Sequence, residues 1–279
     1  MSDALEKITL KHPAGAELDV YYHGAHITRW RSASGRELMF LSRRALLRAD
    51  KAIRGGVPLI FPQFNAFGPG PRHGFARVLP WTLSEIVREG DVVSCRFELE
   101  SAENTLALWP HPFRALYSIE LRDSSLRLSL EVNNTGVADC KFTAALHTYF
   151  RVHAFSGCKL EGLNNKSFWD NDGSDFSDRK TFDADVLDFS DAIDRVYFDV
   201  KTPLVLHDGS AQMHIEQSGF GDVVVWNPGL EGARAMNDMA DDEYQRMVCV
   251  EAARIDNPVS LKPGETWTGE QYLREILVL

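Results

Sequence analysis

The segment Val93-Ser-Cys-Arg-Phe-Glu-Leu-Glu alternates without a break: Val93, Cys95, Phe97 and Leu99 share one side, with polar and charged residues between them. Leu126-Arg-Leu-Ser-Leu-Glu-Val-Asn repeats the pattern through Leu126, Leu128, Leu130 and Val132. Successive side chains of an extended chain point to opposite faces, so a period of two marks a strand with one buried face and one wet face. Parallel sheets are covered on both faces, and this alternation therefore specifies an antiparallel sheet. That requirement dominates what the chain can fold into.

Other segments carry the same signature between turn residues. Leu18-Asp-Val-Tyr-Tyr and Ala25-His-Ile-Thr-Arg-Trp are strands split by a turn at His23-Gly24, and Ser34-Gly35 makes a second turn before Glu37-Leu-Met-Phe-Leu. Asn133 to Gly136 is a turn, and Phe142 to Val152 reads as one strand. Further strands are expected at Pro203–Leu206, Gln212–Glu216, Asp222–Trp226, Met247–Ala253 and Thr266–Leu279. Ser42 to Lys51 is a short helical or irregular crossover with Leu46 and Leu47 inward, and one amphipathic helix is expected over Glu231 to Gln245. Trp169 to Asp194 is rich in aspartate and is expected to be an extended connection with little regular structure. Its Asp170-Asn-Asp-Gly-Ser-Asp places Gly173 too early for an EF-hand and reads as a solvated loop. Many short strands with few helices predict an all-β fold, a large antiparallel β-sandwich with few short helices. With no repeat and no linker, residues 1–279 are expected to form a single domain.

At 44% hydrophobic and 25% charged residues, the chain can bury an ample core. No apolar run approaches the ~20 residues that span a bilayer. The start, Met1-Ser-Asp-Ala-Leu-Glu-Lys, has no basic and apolar leader, so a cytoplasmic protein without a membrane partner is expected. Cys95, Cys140, Cys158 and Cys249 are scattered, with no C-x-x-C, and read as reduced thiols rather than a disulfide framework or zinc site. A net charge of −10 argues against a nucleic-acid partner. It also means that an anionic ligand would need a local island of positive charge.

Arg54-Gly-Gly-Val-Pro-Leu-Ile-Phe-Pro-Gln-Phe, continuing to Gly70-Pro-Arg-His-Gly-Phe-Ala-Arg77, supplies such an island. Gly55-Gly56 permits unusual backbone or close approach. Pro58 and Pro62 remove N–H donors and exclude an ordinary central strand. Arg54, Arg72 and Arg77 on so rigid a frame suit a phosphate or carboxylate, although a single arginine in such a loop is more often solvated.

Two ionisable residues interrupt apolar strands: His147 in Ala144-Ala-Leu-His-Thr-Tyr-Phe, and Glu251 in Met247-Val-Cys-Val-Glu-Ala-Ala. Such a group either points outward or is buried with a partner and a shifted pKa. A lone histidine is commonly a satisfied core residue; a buried glutamate is rarer and asks for a partner or a function. No G-x-x-x-x-G-K-[ST], G-x-G-x-x-G, H-E-x-x-H or G-x-S-x-G is present, so nucleotide, zincin and serine-hydrolase chemistries have no support here.

Taken in order, Arg54-Gly-Gly-Val-Pro-Leu-Ile-Phe-Pro, His73-Gly-Phe-Ala-Arg77, Leu146-His-Thr-Tyr-Phe, Ile193-Asp-Arg-Val-Tyr, Val225-Trp-Asn-Pro and Met247-Val-Cys-Val-Glu251 resemble the glucose-6-phosphate 1-epimerases of the aldose 1-epimerase superfamily. The resemblance spans nearly the whole chain. It implies a β-supersandwich with a sugar cleft on the concave face of one sheet. It further implies His147 as general acid, Glu251 as general base, and Arg54, Arg72 and Arg77 around a sugar phosphate. Asp194 would hold a sugar hydroxyl and His73 would face the ring. Relatives often carry glutamine where this chain has Arg72. The implied enzyme interconverts the anomers of a hexose 6-phosphate as a monomer, with no metal and no cofactor. A mutarotase for neutral aldoses and a non-catalytic carbohydrate-binding module are the alternatives. The arginines argue against the first, and the retained His147 and Glu251 against the second.

Overall fold

In the computed structural model, which describes residues 5–172 and 174–277, both alternating segments are inner strands of one nine-stranded sheet. Its strands run in the order Val186–Asp188, Lys159–Glu161, Leu204–His207, Ala211–Ser218, Thr266–Leu277, Ser125–Asn134, Phe113–Leu121, Val92–Glu100 and Thr82–Glu89. Each adjacent pair is antiparallel. Register places Phe97 opposite Tyr117, and Tyr117 opposite Leu130, so the apolar side chains line one face. All three are buried.

A second sheet, of eight strands, runs Lys180–Phe182, Lys166–Asp170, Ile193–Tyr197, Asp222–Asn227, Met247–Leu261, Cys140–Leu146 and Leu59–Ile60, with Tyr149–Arg151 pairing to Met247–Leu261 as well. Alternation sorts its side chains onto two faces. Val223, Val225, Val248, Val250 and Ala252 join the apolar cluster that includes Phe97 and Leu128 of the first sheet. Gln271 fixes the two sheets together, accepting a hydrogen bond from Thr148 Oγ1 at 2.7 Å and donating to the Val250 carbonyl at 3.3 Å. This is the expected β-sandwich. The opposite face of the eight-stranded sheet carries Ala145, Val196, Val224 and Ala253.

The glycine–proline stretch sits at one edge of that sheet. Only Leu59 and Ile60 pair there, with Leu146 and Ala145. The neighbouring prolines need no N–H; their carbonyls accept instead, Pro58 from the His147 amide and Pro62 from the Thr143 amide, both at 3.0 Å. Gly56 has φ +62°, and a Cβ there would lie 1.8 Å from the Ile27 carbonyl oxygen. Gly74 has φ +68°, with the Phe61 oxygen 2.0 Å from a Cβ. A side chain at either position would meet backbone rather than a flexible side chain, so only glycine fits without a shift of the main chain. Lys7–Lys11, Glu17–Tyr21 and His26–Arg31 form a separate three-stranded sheet beside this stretch.

Several local expectations are corrected. Trp169 to Asp194 is not a bare connection: Lys166–Asp170 pairs with Ile193–Tyr197, and Lys180–Phe182 and Val186–Asp188 are further strands. At three to five residues these strands are too short to show a period. The helix expected over Glu231–Gln245 breaks into Gly229–Arg234 and a 3₁₀ turn at Glu243–Arg246. Between them the chain leaves the helical path, and the Glu243 carboxylate accepts from Ser42 Oγ and from the amides of Arg43 and Ala240. The strand read from Phe142 to Val152 stops at Leu146 and resumes at Tyr149. Asn134 ends a strand instead of lying in a turn, and Leu47 is exposed. All four cysteines are buried and free. Met1–Ala4, Gly173, Val278 and Leu279 lie outside the described residues. Among the described residues no helix is long and apolar enough to cross a membrane.

Candidate active site

Strand alternation explains how two ionisable residues come to share one cavity. In Met247–Leu261, Val250 and Ala252 face the sandwich core, so Glu251 between them must face the other way. His147 follows the last residue of Cys140–Leu146, where Leu146 faces the core and Ala145 the opposite side. Cys140–Leu146 pairs with Met247–Leu261, and the two side chains meet over the outer face. A cleft of about 220 Å³ opens there. Its wall contains all seven residues singled out from the sequence: Arg54, Arg72, His73, Arg77, His147, Asp194 and Glu251.

His147 Nδ1 lies 3.1 Å from Glu251 Oε1. The approach is not aligned as a hydrogen bond, and Nδ1 and Glu251 Oε2 are both buried without a partner. Burial pushes His147 well below the usual imidazole pKa, with His73, Arg54 and Arg77 adding in the same direction. Burial pushes Glu251 well above the usual carboxylate value, the nearby Asp194 charge adds to this, and Arg77 opposes it. The free site therefore favours a carboxylic acid beside a neutral imidazole. Moving one proton from Glu251 to His147 gives carboxylate and imidazolium with no change in net charge. The imidazole ring is held flat against Tyr149, with centroids 4.7 Å apart and planes at 7°, and edge-on to Trp226 at 6.0 Å.

The arginines differ in how they are held. Arg54 Nε donates to Asp238 Oδ1 at 3.2 Å and Nη1 donates to the Tyr149 hydroxyl at 3.0 Å. Those two oxygens hold its guanidinium firmly protonated. Arg77 Nη2 donates to the Arg72 carbonyl at 2.9 Å, while its Nε is buried and without a partner. No carboxylate among the described residues is in ion-pair range of Arg77. Burial lowers its pKa to about 10, and the charges of Arg54 and Arg72 contribute. Arg72 is exposed and lies at the rim of the same cleft.

His73 has φ +64°. Its Nδ1 accepts from the Asn65 amide at 3.2 Å, which assigns the proton of the neutral ring to Nε2. Burial, Arg77, Arg72 and Arg54 together lower its pKa to about 3. The Asp194 carboxylate accepts from Asn171 Nδ2 at 2.8 Å, and burial raises its pKa. Sequence reasoning missed Phe64, Asn65, Trp169, Asn171, Trp226 and Met236 in the wall, and the partners Tyr149 and Asp238. Tyr149 and Trp226 lay inside recognised motifs; the polar residues carried no distinguishing signal.

His147, Cys249 and Glu251 bring nitrogen, sulfur and oxygen within 4.8 Å of one another, the one such group with metal-ligating chemistry among the described residues. The Cys249 thiol is held protonated by burial and by the Glu251 charge. Arg54 and Arg77 place positive charge around this group, which weakens it as a cation site.

What can act here is an acid–base pair under a cluster of guanidiniums, in a cleft of monosaccharide dimensions. Comparison with known proteins agrees. The aldose 1-epimerase family matches residues 6–274. A protein of Cenchrus ciliaris, named as a candidate glucose-6-phosphate 1-epimerase, is 35% identical over 98% of this chain and 85% of its own length. One of Escherichia coli strain K12, named likewise, is 33% identical over 90% and 84%. The crystal structure of a candidate mutarotase from Salmonella typhimurium superimposes with a TM-score of 0.91 at 30% identity, covering 100% of this chain and 92% of that one. The chain belongs to the aldose 1-epimerase family and is an isomerase that interconverts sugar anomers.

Proposed function

We propose that the protein interconverts the α and β anomers of a hexose 6-phosphate, glucose 6-phosphate foremost, by ring opening and closure. The observation that carries this reading is Arg77: a half-buried cation whose Nε is buried without a partner, beside Arg54, in the cleft that holds His147 and Glu251. An unpaired buried charge is costly, and a phosphate dianion compensates it where a neutral sugar does not. The names of two relatives more than 30% identical point the same way.

In this reading the Glu251 carboxylate removes the proton of the C1 hydroxyl while the His147 imidazolium protonates the ring oxygen. The bond from C1 to the ring oxygen breaks, leaving an open-chain aldehyde with a hydroxyl on C5. Rotation about C1–C2 presents the other carbonyl face; as the ring closes, His147 takes the C5 hydroxyl proton back while Glu251 returns its proton to the C1 oxygen. The number of protons on the pair is unchanged over the cycle. Acid and base of this kind contribute about 10²–10⁴ each when well placed. Phosphate binding by Arg54, Arg77 and Arg72 orients the reacting end, with Asp194 on a sugar hydroxyl and the His73 Nε2 proton toward the ring. We also propose that residues 1–279 act as a single domain, since one apolar cluster draws on residues from Leu10 to Leu273.

Calorimetric titration of glucose 6-phosphate and of glucose into the wild type and Arg77→Met tests the reading. The substitution is expected to weaken the phosphorylated sugar at least tenfold and leave glucose nearly unchanged; equal losses for both sugars would refute it.

A further inference from the structure

Tyr149 is 2% exposed, lies outside the cleft wall, and touches two functional groups at once. Its hydroxyl accepts from Arg54 Nη1 at 3.0 Å, and its ring lies parallel to the His147 imidazole at 4.7 Å. The residue is itself immobilised. Its amide donates to the Gly56 carbonyl at 2.9 Å, and its carbonyl accepts from the Phe40 amide at 3.0 Å. Trp226 packs edge-on at 5.9 Å and Phe40 stacks at 6.3 Å. Arg54 is held from the other side by Asp238.

We propose that Tyr149 is a positioning residue that sets the separation between the phosphate-binding guanidinium of Arg54 and the acid His147. The inference rests on the sugar-phosphate reading given above. A hexose 6-phosphate connects its phosphate to its ring oxygen through the short C5–C6–O6 arm. The protein group that binds the phosphate and the group that protonates the ring oxygen must therefore stand at one fixed spacing. A rigid phenol spanning both supplies it: the ring fixes the plane of the acid, and the hydroxyl fixes the arginine. A geometry error of about 1 Å costs on the order of 10²-fold in rate, which gives a rigid link its value. Tyr149 is not a catalytic residue, since it reaches the substrate only through Arg54 and His147.

The probe is 1,5-anhydroglucitol 6-phosphate, which keeps the phosphate and lacks the anomeric hydroxyl, so it binds without turnover. Its dissociation constant is measured calorimetrically for the wild type, Tyr149→Phe, Arg54→Ala and the double variant. Tyr149→Phe keeps the ring and loses the bond to a charged group, and is expected to weaken binding about tenfold. Arg54→Ala weakens it further, and the double variant matches Arg54→Ala, because the two residues act through one interaction. Saturation-transfer rates on glucose 6-phosphate supply the second readout: Tyr149→Leu, which removes the stacked ring, falls about a further tenfold in kcat below Tyr149→Phe. Wild-type binding by Tyr149→Phe, or additive losses in the double variant, would overturn the hydroxyl link. Equal kcat for the Leu and Phe variants would overturn the ring's role. Wild-type binding by Arg54→Ala would remove the phosphate reading of Arg54 and this inference with it. If Tyr149→Leu fails to fold, Tyr149→Phe and the double variant decide.

Discussion

His147 Nδ1 stands 3.1 Å from Glu251 Oε1 without pointing at it, and both groups retain an unsatisfied polar atom in a buried site. A pair that stabilised the fold alone would close that bond, since an unmet buried donor or acceptor costs ~1–3 kcal/mol. Left open, the two face the cleft, where the C1 hydroxyl and ring oxygen of a sugar can meet them. Glu251→Gln and His147→Ala are each expected to lower kcat by roughly 10²–10⁴. Thermal unfolding checks that Glu251→Gln keeps its fold, as its isosteric side chain allows. A variant within threefold of wild-type kcat would remove that residue from the mechanism.

Arg77 makes an opposite pair of effects in one substitution. The residue is half-buried, its Nε is buried without a partner and no carboxylate among the described residues is in ion-pair range, so the unliganded protein holds a charge without a counter-ion. Holding a charge partly out of water without a counter-ion is costly, and an apolar side chain of similar length removes that cost. Arg77→Met is expected to melt at or above the wild-type temperature without ligand. It should also lose the upward shift that glucose 6-phosphate gives the wild type through selective binding to the folded state. A melting temperature well below wild type, with the ligand shift intact, would make Arg77 structural.

His73 keeps a neutral ring at working pH, with its pKa lowered to about 3 by burial and three arginines. Its ring resonances should stay flat from pH 8 to pH 5, whereas exposed histidines titrate near 6.5. The linkage has a definite sign. The unfolded chain takes up a proton as pH falls through 6.5 and the folded chain does not until about 3, so the stability this residue contributes is present above 6.5 and lost below it. His73→Asn should therefore lose less stability between pH 7 and pH 5 than the wild type does. A titration of His73 centred near 6.5 would contradict the geometry.

Gly56 tests the frame under Arg54. A Cβ there meets the Ile27 oxygen at 1.8 Å, and φ is +62°. Gly56→Ala combines a backbone clash with a left-handed conformation and is expected to cost more than ~3 kcal/mol in chemical denaturation. Gly35→Ala has an unusual φ but open space around it, and should cost about 1 kcal/mol. Similar losses for the two would show that the chain relaxes around Gly56.

The strand framework was legible because alternation is a local property: Val93 to Leu99 and Leu126 to Val132 name their own buried face. Glu251 and His147 were legible for the complementary reason, as charges where apolar residues belong. The Arg54–Arg77 stretch was legible as a rigid cationic segment, and its glycines proved to be sites of backbone contact. The acidic region from Trp169 to Asp194 was not. Its strands are short, and Trp169 and Asn171 reach the cleft by pairing with strands distant in sequence; Asp194, also there, was named only through the family resemblance. The helix expected after Glu231 failed similarly. Alanine and methionine favour a helix, but tertiary contacts of Asp238 and Glu243 pull the chain out of it. The Arg54–Tyr149 contact joins residues 95 apart in sequence, and no local pattern predicts it.

In the proposed function one cleft binds the phosphate and interconverts the anomers of the same substrate. Saturation-transfer NMR at neutral pH, on glucose 6-phosphate and on glucose against an enzyme-free control, tests it most directly. Rapid exchange between the α and β anomers of glucose 6-phosphate is expected, with exchange near background for glucose. Equal acceleration of both sugars, or none of either, would contradict it.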